Sequence, residues 1–419
     1  MKKVIFMLAL TACAAASGEP SKSPMDWTPV QTNEIARWKA ENSAPKGVVA
    51  DKSARTVRFL AEATGIGADE TVEFLAIGPL SDRAYESMFV TVASPAAIAA
   101  ACEEIGLPRG KGVNSAAARF WPLGEKVTMS VKAWGKDAAS RPSGPITAFL
   151  RDTRAADEGR ILEAPFAYTG GTRDALGQPV ASTNAPCAVF ALYNHGPALL
   201  QLDGMLDQSG SYGRFVTTAK HKEGALFEVQ LAWDGKRRVK EVDLKITADN
   251  AGEAMGSLKE DSRNFDVHAT ISFDSSVTIE RATAVARAFA MLDGAGVKMN
   301  GCGKGQFFFR SFLPEEKWLD RAARAFQPFE VHVAEDGSRS FTFVEEDWSG
   351  EGLDPALKPR TTPFKEWSEL PGIIAKTGEQ GAKIMVMFIY APKSARVADI
   401  SPVIGAVFPR VNTFYVFGE

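Results

Sequence analysis

Between Glu70 and Gly110 the apolar positions fall into a strand, turn, strand, helix order. Val72–Ile77 and Tyr85–Val92 are β-rich runs separated by a Gly78-Pro79 turn signal and a polar tip, which predicts two facing strands. Ser94 is placed to cap a helix, Pro95 stands where a missing N–H costs nothing, and Gly106 followed by Pro108 ends it. That helix is mostly alanine, with Ile98, Cys102 and Ile105 along one side, so it can lie close to a sheet. Alternation of Val57 and Phe59 precedes this unit, and alternating Lys126–Trp134 follows it. Ile146–Arg151 reads as a strand, and Cys187–Tyr193 is apolar throughout, as a buried strand is.

Gly and Ser residues at Gly204–Ser211 mark a boundary. Beyond it, alternating Leu226–Trp233 and Val239–Ile246 are joined by Asp234-Gly235, which predicts a hairpin. A helix over Ala251–Glu260, a strand over Val267–Phe273, a helix over Ile279–Leu292 with an apolar stripe of Ala282, Val285, Ala286 and Phe289, and a strand over Val297–Met299 come next. The C-terminus repeats the order: a helix near Trp367–Ala375, a strand over Ile384–Ile389, a helix carrying Val397, Ile400, Val403, Ile404 and Val407, and a strand over Phe414–Phe417. Ile271 and Phe388 are 117 apart, while Val285 and Val403, Phe289 and Val407, and Val297 and Tyr415 are each 118 apart. Offsets this consistent predict a duplicated αβαβ unit, with Ser401 capping a shorter second helix at Pro402. Between the copies, Gln306–Phe309 reads as a buried strand, and Phe329–Val333 and Arg339–Val344 flank a second hairpin signal, Asp336-Gly337.

The expected fold class is therefore α+β and multidomain: sheets with helices packed on one face, and a duplicated αβαβ unit in the C-terminal half. The expected segments are a leader at 1–16 (1–12 if lipidated), a polar tether at 17–49 with a short helix around Ile35 and Trp38, and an α+β domain at 50–210. An αβαβ-containing domain with an N-terminal hairpin at 213–305, a hairpin and acidic-loop connector at 306–364, and the second αβαβ unit at 365–419 complete the chain.

Length agrees with this division, since 419 residues exceed one ordinary core. Hydrophobic content of 45%, charged content of 24% and 36 glycines are those of a globular chain. A net charge of −3 creates no strong field, and the only short basic run is Lys236, Arg237, Arg238 and Lys240, so nucleic acid is excluded as a partner. Lys2-Lys3, the apolar Val4–Leu10 and the small residues Ala12–Ser17 have the form of an export signal. Leu10-Thr11-Ala12-Cys13 resembles a bacterial lipobox, so Cys13 is a candidate lipidation site and a lipid anchor stands beside simple secretion. No other segment has the ~20 uninterrupted apolar residues a spanning helix needs, so no transmembrane span is expected in the mature chain. Cys187 and Cys302, both in turn-like surroundings, are a candidate disulfide in an exported chain, against three unpaired thiols with Cys102. The four scattered histidines give no zinc spacing.

Two sets of side chains carry candidate chemistry. Glu345, Glu346, Asp347, Glu351 and Asp354 surround two glycines, the composition of a calcium loop, although the spacing is not that of an EF-hand; no cofactor is the leading expectation and Ca2+ the alternative. Glu73 and Glu86 lie on adjacent predicted strands, where a suitably spaced pair serves acid–base chemistry; with Tyr85 they are candidate ligand contacts. Nucleophile and metalloprotease motifs are absent, and Gly301-Cys302-Gly303-Lys304-Gly305 lacks phosphate-loop spacing.

Val72–Ala76, Tyr85-Glu86-Ser87, the Ser94-Pro95 helix closing on Gly106-Leu107-Pro108, Phe166–Gly171 and Leu199–Leu202 together resemble the YdjY domain of bacterial envelope proteins, over Glu70–Asp203. The resemblance implies a fold unit and an envelope location but no reaction, and the clustered cysteines of members coupled to an iron–sulfur module are lacking. Each C-terminal copy is similar in element order to the periplasmic domain of ExbD and TolR. That implies a small module that pairs with itself or with a partner strand, without energy coupling, because the membrane helix and its acidic residue are missing. The expectation is an exported periplasmic or envelope protein that binds a protein or envelope polymer without catalysis. The alternative is an exported hydrolase or divalent-metal-dependent enzyme with its site between modules.

Overall fold

The computed structural model describes residues 26–113, 121–141, 143–154, 166–171, 188–204, 206, 208–292, 296–300, 329–347, 349, 356–377, 386–407, 411 and 413–419. The chain is an α+β protein and divides into two units, one holding the described residues of 1–109, 126–202 and 206–235, the other those of 110–125, 203–205 and 236–419.

The first unit runs α1 (Pro29–Glu41), β1 (Val48–Asp51), β2 (Thr56–Ala63), β3 (Phe74–Ile77), β4 (Ser87–Thr91), α2 (Pro95–Glu104), β5 (Lys126–Ala133), β6 (Gly144–Pro145), β7 (Leu150–Asp152), β8 (Phe166–Tyr168), β9 (Ala188–Ala191), β10 (Leu200–Leu202), α3 (Gln208–Ser211), β11 (Phe215–Thr217) and β12 (Leu226–Ala232). Followed from β2 through β12, β5, β8, β10, β9, β3 and β4, the ladders return to β2, so eight strands close into a barrel. Closure removes the sheet edges, and a barrel of this size fills with side chains rather than holding a channel. Every second residue of the long strands points inward: Val57, Phe59, Ala61 and Ala63 on β2, Val127, Met129, Val131 and Ala133 on β5, Phe227, Val229 and Leu231 on β12. Ile98, Ala99, Ala101 and Cys102 of α2 belong to the same core, and the Tyr168 hydroxyl donates to the Ala99 carbonyl at 3.2 Å.

Two expectations change here, and one feature goes beyond them: the sheet closes on itself. The Asp234-Gly235 hairpin does not form, because both edges of β12 are taken by β2 and β5; the turn instead lies at the division between the units. Residues 26–49, expected as tether, form α1 and β1. A capping box in which the Gln31 N–H reaches the Thr28 hydroxyl and the Thr28 N–H reaches the Gln31 side chain starts α1, which buries Ile35 and Trp38 against Leu60 and Leu226.

The second unit runs β13 (Val239–Ile246), α4 (Ala251–Asp261), β14 (Asp266–Phe273), α5 (Ile279–Ala290), β15 (Val297–Asn300), β16 (Phe329–Val333), β17 (Arg339–Asp347), β18 (Ala356–Phe364), α6 (Leu370–Lys376), β19 (Val386–Ala391), α7 (Val397–Ile400), α8 (Pro402–Val407) and β20 (Thr413–Gly418). β13, β14 and β15 form a parallel sheet; the second sheet has the order β18-β17-β16-β19-β20, with β16, β19 and β20 parallel. The segment expected as a connector therefore supplies three strands of this sheet, and Asp336-Gly337 does turn an antiparallel hairpin, with Gly337 at φ +80°.

Ile279/Val397, Ala282/Ile400, Val285/Val403, Ala286/Ile404 and Phe289/Val407 are each 118 apart and all buried in one core on α5, α7 and α8. Ile271 matches Ile389, not Phe388. Ile271 and Ile389 both face that core, and Phe388 points to the other face, where a strand slipped by one residue sends every side chain. Val297 faces the core and Tyr415 does not. Met299 lies beside Ala269 as Phe414 lies beside Met387, so the matching residues on the last strands are 115 apart.

Candidate functional site

The two predicted strands at Val72–Val92 pair in parallel, not as a hairpin: Phe74 lies beside Ser87 and Ile77 beside Val90. The connection 78–86 runs back along β3 and ends in a 3-10 turn at Ala84–Glu86. Parallel pairing sets the starts of both strands side by side, so Glu73 and Glu86, each one residue before its strand, become neighbours; the Glu73 N–H donates to the Glu86 carbonyl at 3.0 Å. On the other side, β9 pairs antiparallel with β3, and the Leu192 N–H donates to the Glu73 carbonyl at 2.9 Å, which brings Tyr193 and His195 alongside.

Glu73 is buried, and the Glu86 side chain is 15% exposed. Burial pushes the Glu86 carboxyl above the ordinary glutamate range; the Arg83 guanidinium, 2.6 Å away, pulls it back, and the neighbouring Glu73 adds to the rise. The Tyr193 phenol is likewise pushed up, first by burial and then by Glu73 and Glu86. Its hydroxyl lies 3.3 Å from His195 Nδ1, and Phe74 meets both rings edge-on at 5.6 and 5.8 Å. Tyr85, the third expected ligand contact, is 67% exposed, its hydroxyl 3.4 Å from Arg83 Nη1.

Also in the first unit, a cleft of about 730 Å³ opens between the start of α1, the end of β2, the loop after β5 and the segment leading into β12. Ala84, two residues before Glu86, lines it, but Glu73 and Glu86 do not. Its inner carboxylates hold structure in place. Glu62 accepts the Trp27 indole N–H at 2.9 Å and the Gln31 amide at 2.9 Å, and Glu34 pairs with Arg37 at 2.7 Å. Arg141 spends its N–H groups on the carbonyls of Trp134, Asp137 and Leu226, tying the loop after β5 to β12. The site was not legible in the sequence, because the residues come from five distant segments. The one available signal was a pair of tryptophans, Trp27 and Trp38, in a stretch otherwise polar.

In the second unit the first three residues of the acidic segment, Glu345, Glu346 and Asp347, lie along β17. Glu345 pairs with Arg360 and Asp347 with Lys358, both at 2.6 Å, from β17 to β18. The Lys358 ammonium, with Ser349, holds the Asp347 carboxyl well below the usual range. Lysine and arginine nitrogens thus stand against two of the candidate calcium oxygens. Glu346 lies on β17, while Glu351 and Asp354 lie outside the described residues, as do Cys13, Cys187 and Cys302. Cys102 is buried and free, its thiol pushed by burial to about 12, so it behaves as a core side chain. Among the described residues no helix is long and apolar enough to cross a membrane.

No family model, curated protein or solved structure matches this chain.

Proposed function

We propose that this is an exported protein of the bacterial cell envelope, that its barrel unit is a binding module using the cleft beside α1, and that its second unit is a tandem pair of βαβαβ modules acting as scaffold. The leader-like N-terminus and the YdjY resemblance support the location. The observation that carries the binding reading is the commitment of two of the cleft's inner charges: Glu62 and Arg141 are tied to fixed protein partners, which shapes a rigid recognition surface rather than supplying an acid or a base. The tandem reading rests on the buried pairs spaced by 118 on α5, α7 and α8.

A hydrolase remains the second reading, favoured by the raised Glu86 carboxyl beside Glu73 and the Tyr193–His195 pair. Co-sedimentation with purified cell-wall polymer, scored together with release of soluble fragments, separates the two. Retention without release, unchanged in Glu73→Gln/Glu86→Gln, is the expected result. Release that this double variant abolishes would install the hydrolase, and failure of the native chain to sediment would remove wall-polymer binding.

A further inference from the structure

We infer that the cleft takes a ligand bearing a guanidinium or primary ammonium group, seated on Trp134 and Glu34. This rests on the binding reading above and names the chemistry of that site.

The chain already seats one such group on these two side chains, from Arg37, which does not itself line the cleft. The Arg37 guanidinium carbon lies 4.9 Å from the centroid of the Trp134 ring while Nη2 reaches Glu34 at 2.7 Å. An indole face and a carboxylate converging on one cation are the elements of a cation-recognition seat. The seat is held in place, because the Trp134 indole N–H donates to the Glu34 main-chain carbonyl at 3.3 Å. Both Trp134 and Glu34 line the cleft. Arg37 holds the seat loosely: its side chain is 45% exposed, and its Nε also stands 3.6 Å from Glu41 one turn further along α1, a carboxylate it can keep when it leaves.

An anion finds no equivalent. The inner cation, Arg141, has turned its fork to main-chain carbonyls, and the two lysines, Lys136 and Lys222, stand exposed at the rim. An incoming cation therefore replaces Arg37 on a surface already shaped for it, and Arg37 acts as an internal competitor.

The test titrates the full chain with Nα-acetyl-arginine amide, with spermidine and with Nα-acetyl-glutamate amide, following the Trp134 indole N–H by NMR. Either cation should shift that resonance and the glutamate amide should not; which cation binds tells a guanidinium source from an ammonium source. Glu34→Gln should weaken binding about tenfold, the loss of one charge-assisted contact. Arg37→Ala should tighten it about two- to fivefold by vacating the seat, a gain that misfolding cannot mimic. A silent Trp134 resonance, equal binding of the glutamate amide, or an Arg37→Ala variant that binds no better would overturn the inference. If wall polymer is still retained in that case, only the ligand class falls; if neither is bound, the binding reading falls with it.

Discussion

Thr278 and Arg396, 118 residues apart, lie opposite each other in an antiparallel bridge, each at the N-cap of a helix. The bonds around them are reciprocal. The Ile279 N–H donates to the Ala395 carbonyl at 2.7 Å and the Val397 N–H to the Val277 carbonyl at 2.9 Å; one step further out, Glu280 donates to Lys393 at 3.1 Å and Ala398 to Ser275 at 3.0 Å. Adding 118 to the first-copy member of each bond gives its counterpart in the other: Ile279 gives Val397, Val277 gives Ala395, Glu280 gives Ala398 and Ser275 gives Lys393. Reciprocity of this kind is what a twofold contact between two like modules produces, here within one chain.

Proline at 397 tests that contact. Position 397 opens α7, where a helix tolerates proline, and Arg396 before it is already extended at φ −95° and ψ 158°. The substitution therefore removes the cross-module N–H with little disturbance of the backbone and leaves the Val277 carbonyl unmatched, while also replacing the buried Val397 side chain. A loss of about 1–2 kcal/mol in the denaturant transition of the second unit is expected. Ile279→Pro should fail in the same transition, since it removes the reciprocal bond.

The Glu86 carboxyl should respond to the Glu73 beside it. Burial raises the Glu86 carboxyl, so the folded chain keeps that proton to higher pH than the unfolded one, whose glutamates lose it near ~4.3. The stability this group contributes is complete below the unfolded value and is lost as pH climbs through the folded one. Glu73→Gln should move the Glu86 midpoint down and Arg83→Met should move it up, read from carboxyl carbon shifts. A midpoint indifferent to Glu73 would separate the two side chains.

His221 makes the first unit sensitive to acid. It is buried between Phe89, Phe149 and Phe227, with ring centroids 6.0, 5.4 and 5.2 Å away, and burial, with Arg141 adding to it, holds its pKa below the ordinary histidine value. An unfolded histidine takes its proton near ~6.5 and the folded one later, so stability present above that pH is lost as pH falls through the folded value. Urea unfolding at pH 7.5 and 5.5 should show a larger decline in the native chain than in His221→Phe.

Helix α1 is held to the barrel by Trp38, which is fully buried and donates its indole N–H to Glu228 at 2.7 Å; Arg58 reaches the same oxygen at 3.0 Å. Trp38→Ala should cost about 3–5 kcal/mol and open residues 26–44 to protease. Trp38→Phe should cost about 1–2 kcal/mol, the indole bond alone.

Several elements were legible because their cause is local. The Ser94 cap, Pro95 at the first helical position and the stop at Gly106 place α2 within a residue of its expected bounds, and the stripe Ala282, Val285, Ala286 and Phe289 is buried as its spacing requires. Strand pairing was legible only where a local turn closes it, as Asp336-Gly337 does between β16 and β17. Asp234-Gly235 has hairpin chemistry, yet β12 finds two barrel partners and β13 another sheet. Gly78-Pro79 has turn chemistry, yet the connection carries the chain back to begin a parallel strand. Glu73 and Glu86 are expected on adjacent facing strands, and parallel pairing is what brings them together.

By itself the sequence determined the elements with strong local signals, such as α2 and α5, and which of their faces are apolar, because caps, breakers and side-chain period act within a few residues. Only the tertiary structure decided that eight strands close into a barrel, that Glu73 meets Glu86, and that Glu34 and Trp134 share a cleft wall. These depend on which strand edges find each other across long stretches of chain, and a strand's edge hydrogen bonds are the same whatever its side chains.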